Sequence, residues 1–234
     1  MAQYRNTTVQ KAYLLDLAVT EYREAHDLQL ATVAARISGR LTADLVIMLE
    51  HPPVYTLGRR GGLDNLTVEA SFLESKGIRV EPIERGGDIT YHGPGQLVVY
   101  PIINLNASRI KVVDYVCCLE EAMVRTVARW GIKASGDAVN RGAWIGGRKL
   151  GSIGITVRRG VTFHGLALNV NTDLTPFEWI NPCGIRDCKM TSVAKECGRT
   201  ISMASARKCM RQHLADILRM DFTPIDIEAL KHHF

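Results

Sequence analysis

Twelve residues, Arg85-Gly86-Gly87-Asp88-Ile89-Thr90-Tyr91-His92-Gly93-Pro94-Gly95-Gln96, limit the fold more than any other stretch of the chain. Four glycines and a proline among them exclude a helix interior, so the chain must turn here between two extended runs, residues 80–83 and 97–103. Glycine also lets the backbone approach a ligand closely, and exposed N–H groups can hold a carbonyl oxygen or an anion. A glycine-rich hairpin between two strands accounts for the same composition. Neither the dinucleotide pattern G-x-G-x-x-G nor the phosphate-loop pattern occurs, and no Gly-Lys dipeptide exists anywhere.

The flanking segments predict a mixed architecture. Leu14, Leu15, Leu17, Ala18, Tyr22, Leu28, Leu30, Val33 and Ala34 recur at helical spacing, predicting one long amphipathic helix over residues 11 to about 35. A strand is expected over 44–50. His51-Pro52-Pro53 should end it and open a surface loop containing Gly58, Gly61 and Gly62. A short helix over 68–75 precedes the two extended runs, and a second long helix over 112–130 is stopped by Gly131.

Three β-rich runs follow, at 142–145, 152–157 and 161–170, with hairpin turns at Gly146-Gly147-Arg148-Lys149 and Arg158-Arg159-Gly160. Beyond Thr172 the pattern is irregular, passing through Asn181-Pro182-Cys183-Gly184, then helical from 191 and from 203 to 220. The expected class is α+β, a mixed, largely antiparallel sheet with packed helices. One domain is expected over 1–234, with its main body over about 1–175 and a smaller helical part over about 180–234.

Composition narrows the function. Hydrophobic residues at 46% and charged residues at 23% are globular proportions. No run approaches the roughly 20 apolar residues of a bilayer span, and residues 1–8 lack a signal pattern, so a cytoplasmic protein with free thiols is expected. The net charge of +5 suits an acidic partner, whereas 6% aromatics and dispersed basic residues argue against nucleic acid.

Two residues stand out chemically. Pro182 and Gly184 place Cys183 on a turn instead of inside a packed element. Lys149 sits among glycines, where a solvated hairpin charge is the plain reading. A thiol with a pKa of about 8.5 is a few per cent thiolate at neutral pH, and a nearby ammonium stabilises the thiolate, so a Cys–Lys pair makes a sensible nucleophile. His92 and His164 can orient a substrate or polarise a carbonyl, or serve the structure alone. Cys183, Cys188 and Cys197 lack the paired spacing of a zinc knuckle, and no metal is expected. Cys117, Cys118 and Cys209 read as packing residues.

Taken together, the stretch from Arg85 to Gln96, Lys149-Leu150-Gly151-Ser152-Ile153-Gly154, Phe163-His164-Gly165-Leu166-Ala167-Leu168-Asn169-Val170 and Asn181-Pro182-Cys183-Gly184 resemble the lipoyl(octanoyl) transferase family. The four segments span about a hundred residues in the family's order.

The resemblance implies the fold shared by biotin protein ligases and lipoate-protein ligases, and a monomer. It implies an octanoyl-acyl carrier protein donor, which brings its own phosphopantetheine, so no cofactor is expected. The acceptor would be a lysine on lipoyl domains of oxo-acid dehydrogenase complexes or on the glycine cleavage H protein. Cys183 would be the acyl-thioester nucleophile and Lys149 its thiolate-stabilising partner. Arg85, Gly86, Gly87, Asp88, Ile89, Thr90, Tyr91 and His92 would line the acyl pocket with Ser152, Ile153, Gly154, His164, Gly165, Leu166 and Ala167. Cys188 receives no role. An ATP-dependent ligase on the same fold, with Cys183 incidental, and a non-catalytic acyl-binding module are the alternatives.

Overall fold

A computed structural model describes residues 9–234. Strand β1 (Gln10–Val19) leads into helix α1 (Tyr22–Ser38), then strands β2 (Asp44–Glu50) and β3 (Val54–Leu57) and helix α2 (Ala70–Ser75). Strands β4 (Arg79–Pro82), β5 (Ile89–His92) and β6 (Gln96–Ile102) precede helices α3 (Leu105–Ser108) and α4 (Val112–Ala128). A ribbon follows, formed by β7 (Ser135–Gly136), β8 (Gly142–Ile145), β9 (Arg148–Arg158) and β10 (Val161–Asn169). Helices α5 (Val193–Cys197) and α6 (Met203–Leu218), strand β11 (Met220–Pro224) and helix α7 (Ile227–Lys231) close the chain.

Eight strands form the main sheet in the order β11-β1-β2-β6-β10-β9-β8-β7, parallel only from β11 through β1 to β2. Strand β2 shows why it sits at the centre. Leu45, Ile47 and Leu49 pack with Ala25 and Val33 of α1 and Leu230 of α7, while Val46 and Met48 pack on the opposite face with Leu119 of α4 and Met210 of α6. Both faces are apolar because both are covered. A smaller sheet, β4-β3-β5, has its own core of Tyr55, Ile89, Tyr91, Phe177 and Ile180.

The expected helix over 11–35 is instead a strand and a helix that break at Thr20. Ala12 and Leu14 face one core while Tyr13, Leu15 and Leu17 face the other. A strand buried on both faces carries a continuous apolar run, which matches helical spacing as readily as its own period of two. The loop expected after Pro53 begins with β3, whose Val54, Tyr55 and Thr56 are buried β-formers. Inside the glycine-rich stretch lies a strand, β5, and the expected helix end at 220 is strand β11, paired in parallel with β1.

The hairpin turns fall where expected and are tighter. Gly146 and Gly147 have φ of 50° and 78°, Arg159 and Gly160 have 49° and 84°, and these two-residue turns extend β9 to Arg148–Arg158. Lys149 therefore lies on a strand, 2% exposed, which removes the solvated-charge reading. Cys118 belongs to the core as expected, but Cys117 is half-buried and accepts a contact from Arg141 Nη1. All six cysteines are free thiols. Among the described residues no helix is long and apolar enough to cross a membrane.

Candidate active site

Cys183 lies in a loop that the small sheet holds in place. Asn181 N–H donates to Asn65 O at 2.7 Å, Gly184 N–H to Asn181 O, and Asn65 Nδ2 to Asp88 Oδ2 at 2.7 Å. Within that turn Cys183 adopts φ 60° and ψ 20°, the left-handed region that residues with a Cβ seldom occupy. Such strain persists only where the surroundings fix it, and it accumulates at functional sites.

Lys149 comes from the start of β9, whose backbone is locked to the segment beyond the loop. Its N–H donates to Lys189 O at 2.8 Å and its carbonyl accepts from Thr191 N–H at 2.9 Å. The side chain runs past the Trp144 ring, 4.9 Å from its centroid, and Nζ lies 3.5 Å from Cys183 Sγ. Among the described residues no carboxylate forms an ion pair with the buried Lys149 side chain, and Cys183 Sγ is its polar neighbour.

The pair opens on a cavity of about 240 Å³. From the glycine-rich stretch it takes Arg85, Gly86, Gly87, Thr90 and His92; from β9, Ser152, Ile153 and Gly154; from β10, His164, Gly165, Leu166 and Ala167. Asp88, Ile89 and Tyr91 are not among the lining residues. Asp88 supports the Cys183 loop through Asn65, and Ile89 and Tyr91 project into the small sheet's core, because alternate residues of a strand face opposite ways. Two wall glycines leave no room for a side chain. A Cβ on Gly165 would overlap Val99 O, and one on Gly154 would come within 2.9 Å of Arg85 Cδ and 3.0 Å of Gly86 O.

Sequence reasoning missed Tyr22, Val98, Tyr100, Asn140, Arg141 and Ile185, which also line the cavity. Tyr22 was hidden inside the expected long helix. Tyr100 alternates in β6 with core residues and carries no motif signal of its own.

Burial sets the electrostatics of this wall. Arg85 donates through Nη2 to Thr56 O at 2.6 Å, through Nε to Thr56 Oγ1 and through Nη1 to Gly86 O, all neutral acceptors. Burial lowers its pKa, and a negative charge at Cys183 is the strongest influence opposing that. Thr56 is left to donate to His92 Nε2 at 3.3 Å, and His92 Nδ1–H donates to Gln96 Oε1 at 2.7 Å. Desolvation pulls His92 down to about 3, with smaller contributions from His51 and Arg85, so the ring is neutral. His164 is likewise lowered to about 3, by burial first and by His26 next. His51, donating through Nδ1 to Thr20 O and accepting at Nε2 from Tyr100, is lowered to about 4 by burial. The cavity wall thus combines apolar side chains and the neutral rings of His92 and His164 with the guanidinium groups of Arg60, Arg85 and Arg141.

Comparison with known proteins gives the family and the fold. Residues 21–215 match the model of the lipoyl protein ligase A/B catalytic domain. An octanoyltransferase of Desulfotalea psychrophila is 48% identical over 217 residues, covering 92% of this chain and 97% of that protein. In three dimensions the chain is similar to a structure from Thermoplasma acidophilum described as part of an archaeal lipoylation system, a bipartite lipoate protein ligase and its E2 lipoyl domain, with a TM-score of 0.74 at 18% identity over 96% and 90% of the two chains. It is also similar to the biotin protein ligase of Aquifex aeolicus in complex with biotin and ATP, at a TM-score of 0.55, 10% identity, and 88% and 70% coverage. The fold expected from the resemblance is therefore the one found. The chain belongs to the lipoyl protein ligase A/B catalytic domain family, in its octanoyltransferase branch, and is an acyltransferase.

Proposed function

We propose that the protein transfers an octanoyl group from octanoyl-acyl carrier protein to a lysine of a lipoyl domain through a thioester on Cys183. The contact of 3.5 Å between Lys149 Nζ and Cys183 Sγ, at the wall of an acyl-sized cavity, carries this reading. The name of the Desulfotalea relative supports the choice of acyl group, and the Thermoplasma ligase with its lipoyl domain supports the choice of acceptor.

In this mechanism Lys149 holds the thiol proton while the Cys183 sulfur attacks the thioester carbonyl carbon. The bond to the phosphopantetheine sulfur breaks, and that sulfur leaves with the proton. The acceptor amine then attacks the Cys183 thioester, an amide forms, the carbon–sulfur bond breaks, and the amine proton returns through Lys149 to Cys183. Dividing the transfer in this way is ordinary covalent catalysis. Thioester-to-amide conversion is downhill, so the route draws on neither ATP nor a metal.

Incubating the protein with octanoyl-carrier protein and a lipoyl domain, without ATP, should yield an octanoylated acceptor lysine. Formation of that product only from free octanoate with ATP would identify a ligase instead.

A further inference from the structure

The geometry points to a second site, for a divalent transition-metal ion such as Zn²⁺, formed by His26, Glu84 and His164. Among the described residues this is the one place where three His, Cys, Asp or Glu side chains bring ligand atoms within 4.8 Å of one another. His26 Nε2 lies 3.1 Å from Glu84 Oε2, and His164 Nε2 lies 3.8 Å from the same oxygen. A tetrahedral ion with bonds of about 2.1 Å sets its ligand atoms roughly 3.4 Å apart, so these separations bracket what the ion needs.

The orphaned imidazole nitrogen gives the site its direction. His164 is 1% exposed, and its buried Nε2 has no hydrogen-bond partner. Buried polar atoms in native proteins almost always have a partner, and one without calls for an occupant. Glu84 Oε2 already faces His26, Oε1 faces Arg158 Nη2 at 3.6 Å, and the carboxylate stays beyond hydrogen-bond reach of His164. A cation shared by the three side chains would satisfy the nitrogen and neutralise the carboxylate together.

The surroundings prepare the ligands. His164 has φ 55° on a strand, and Gln29 Oε1 accepts from its backbone N–H at 2.7 Å. Gln29 and His26 are three residues apart on α1, so one helix face supplies a ligand and anchors the backbone of another. The two imidazole rings lie nearly parallel, 13° between planes and 5.4 Å between centroids.

Two imidazoles and one carboxylate suit zinc, cobalt and their neighbours and leave a position for water, whereas magnesium and calcium prefer all-oxygen cages. A bound ion would fasten α1, the residue preceding the glycine-rich stretch, and β10, three segments that border the acyl cavity.

Titration of metal-stripped full-length protein with Co²⁺, followed by visible absorption, and with Zn²⁺, followed by calorimetry, tests this. One equivalent should bind with the relatively intense visible d–d bands of four-coordinate Co²⁺ and without the thiolate-to-cobalt charge transfer of a cysteine-ligated ion. His26→Ala and Glu84→Gln should each weaken binding more than about tenfold while circular dichroism shows the native fold. Lack of uptake by the unaltered protein, affinity unchanged in both variants, or a thiolate charge-transfer band would overturn the assignment.

Discussion

Lys149→Met is expected to lower octanoyl transfer by about 10²- to 10⁴-fold, the range that a positioned proton-transfer group contributes. Nζ is within reach of Cys183 Sγ, and the strand start that carries it is bound on both sides to residues 189–191, so the side chain has little freedom to be elsewhere. Methionine fills a similar unbranched volume without charge or proton. Stability should change little, because Met keeps the unbranched packing beside Trp144 and the substitution breaks no carboxylate ion pair. Steady-state kinetics beside urea denaturation read both halves. Loss of activity with intact stability places Lys149 in the chemistry, and loss of both in step would make it a packing residue.

Acid should destabilise the protein well above the carboxylate range. His51, His92 and His164 titrate near 6.5 in an unfolded chain, but burial holds them at about 4, 3 and 3 in the folded one. Their folded values are depressed, so the stability that depends on their neutrality is complete above pH 6.5 and declines as the pH falls toward the folded values. At pH 5 the unfolded state binds nearly three more protons than the folded state. Integrated from pH 7 to pH 5, the three histidines together cost roughly 5 kcal/mol, comparable to the whole stability of many domains. Urea denaturation at the two pH values checks this, and His51→Asn should remove about a third of the difference. Equal midpoints at pH 7 and pH 5 would mean that these rings are not neutral in the folded protein.

The parts of this architecture legible in the sequence were those with one period or one punctuation mark. Strand β2, helix α4 and the β8–β9–β10 ribbon follow from apolar patterning, closed by Pro52-Pro53 after β2 and by glycines after α4 and around the ribbon. Strand β1 was hidden because both of its faces are buried, and β5 because the glycines around it outweighed Ile89, Thr90, Tyr91 and His92. The alternation within β5 holds the distinction that motif reading missed, with Thr90 and His92 toward the cavity and Ile89 and Tyr91 toward the core. Sequence paired Cys183 with Lys149 by chemistry and family resemblance, 34 positions apart, with nothing local to bring them together. Their meeting depends on a backbone link between Lys149 and residues 189–191, a long-range pairing without a local signature. Glu84 and His26 carried no signal at all, since they gain meaning only beside His164.

The thioester on Cys183 is the central claim, and intact-mass spectrometry of the protein incubated with octanoyl-carrier protein alone tests it most directly. One octanoyl adduct is expected, released by hydroxylamine and lost in Cys183→Ala. An adduct that persists in Cys183→Ala, or full transfer activity in that variant, would contradict it.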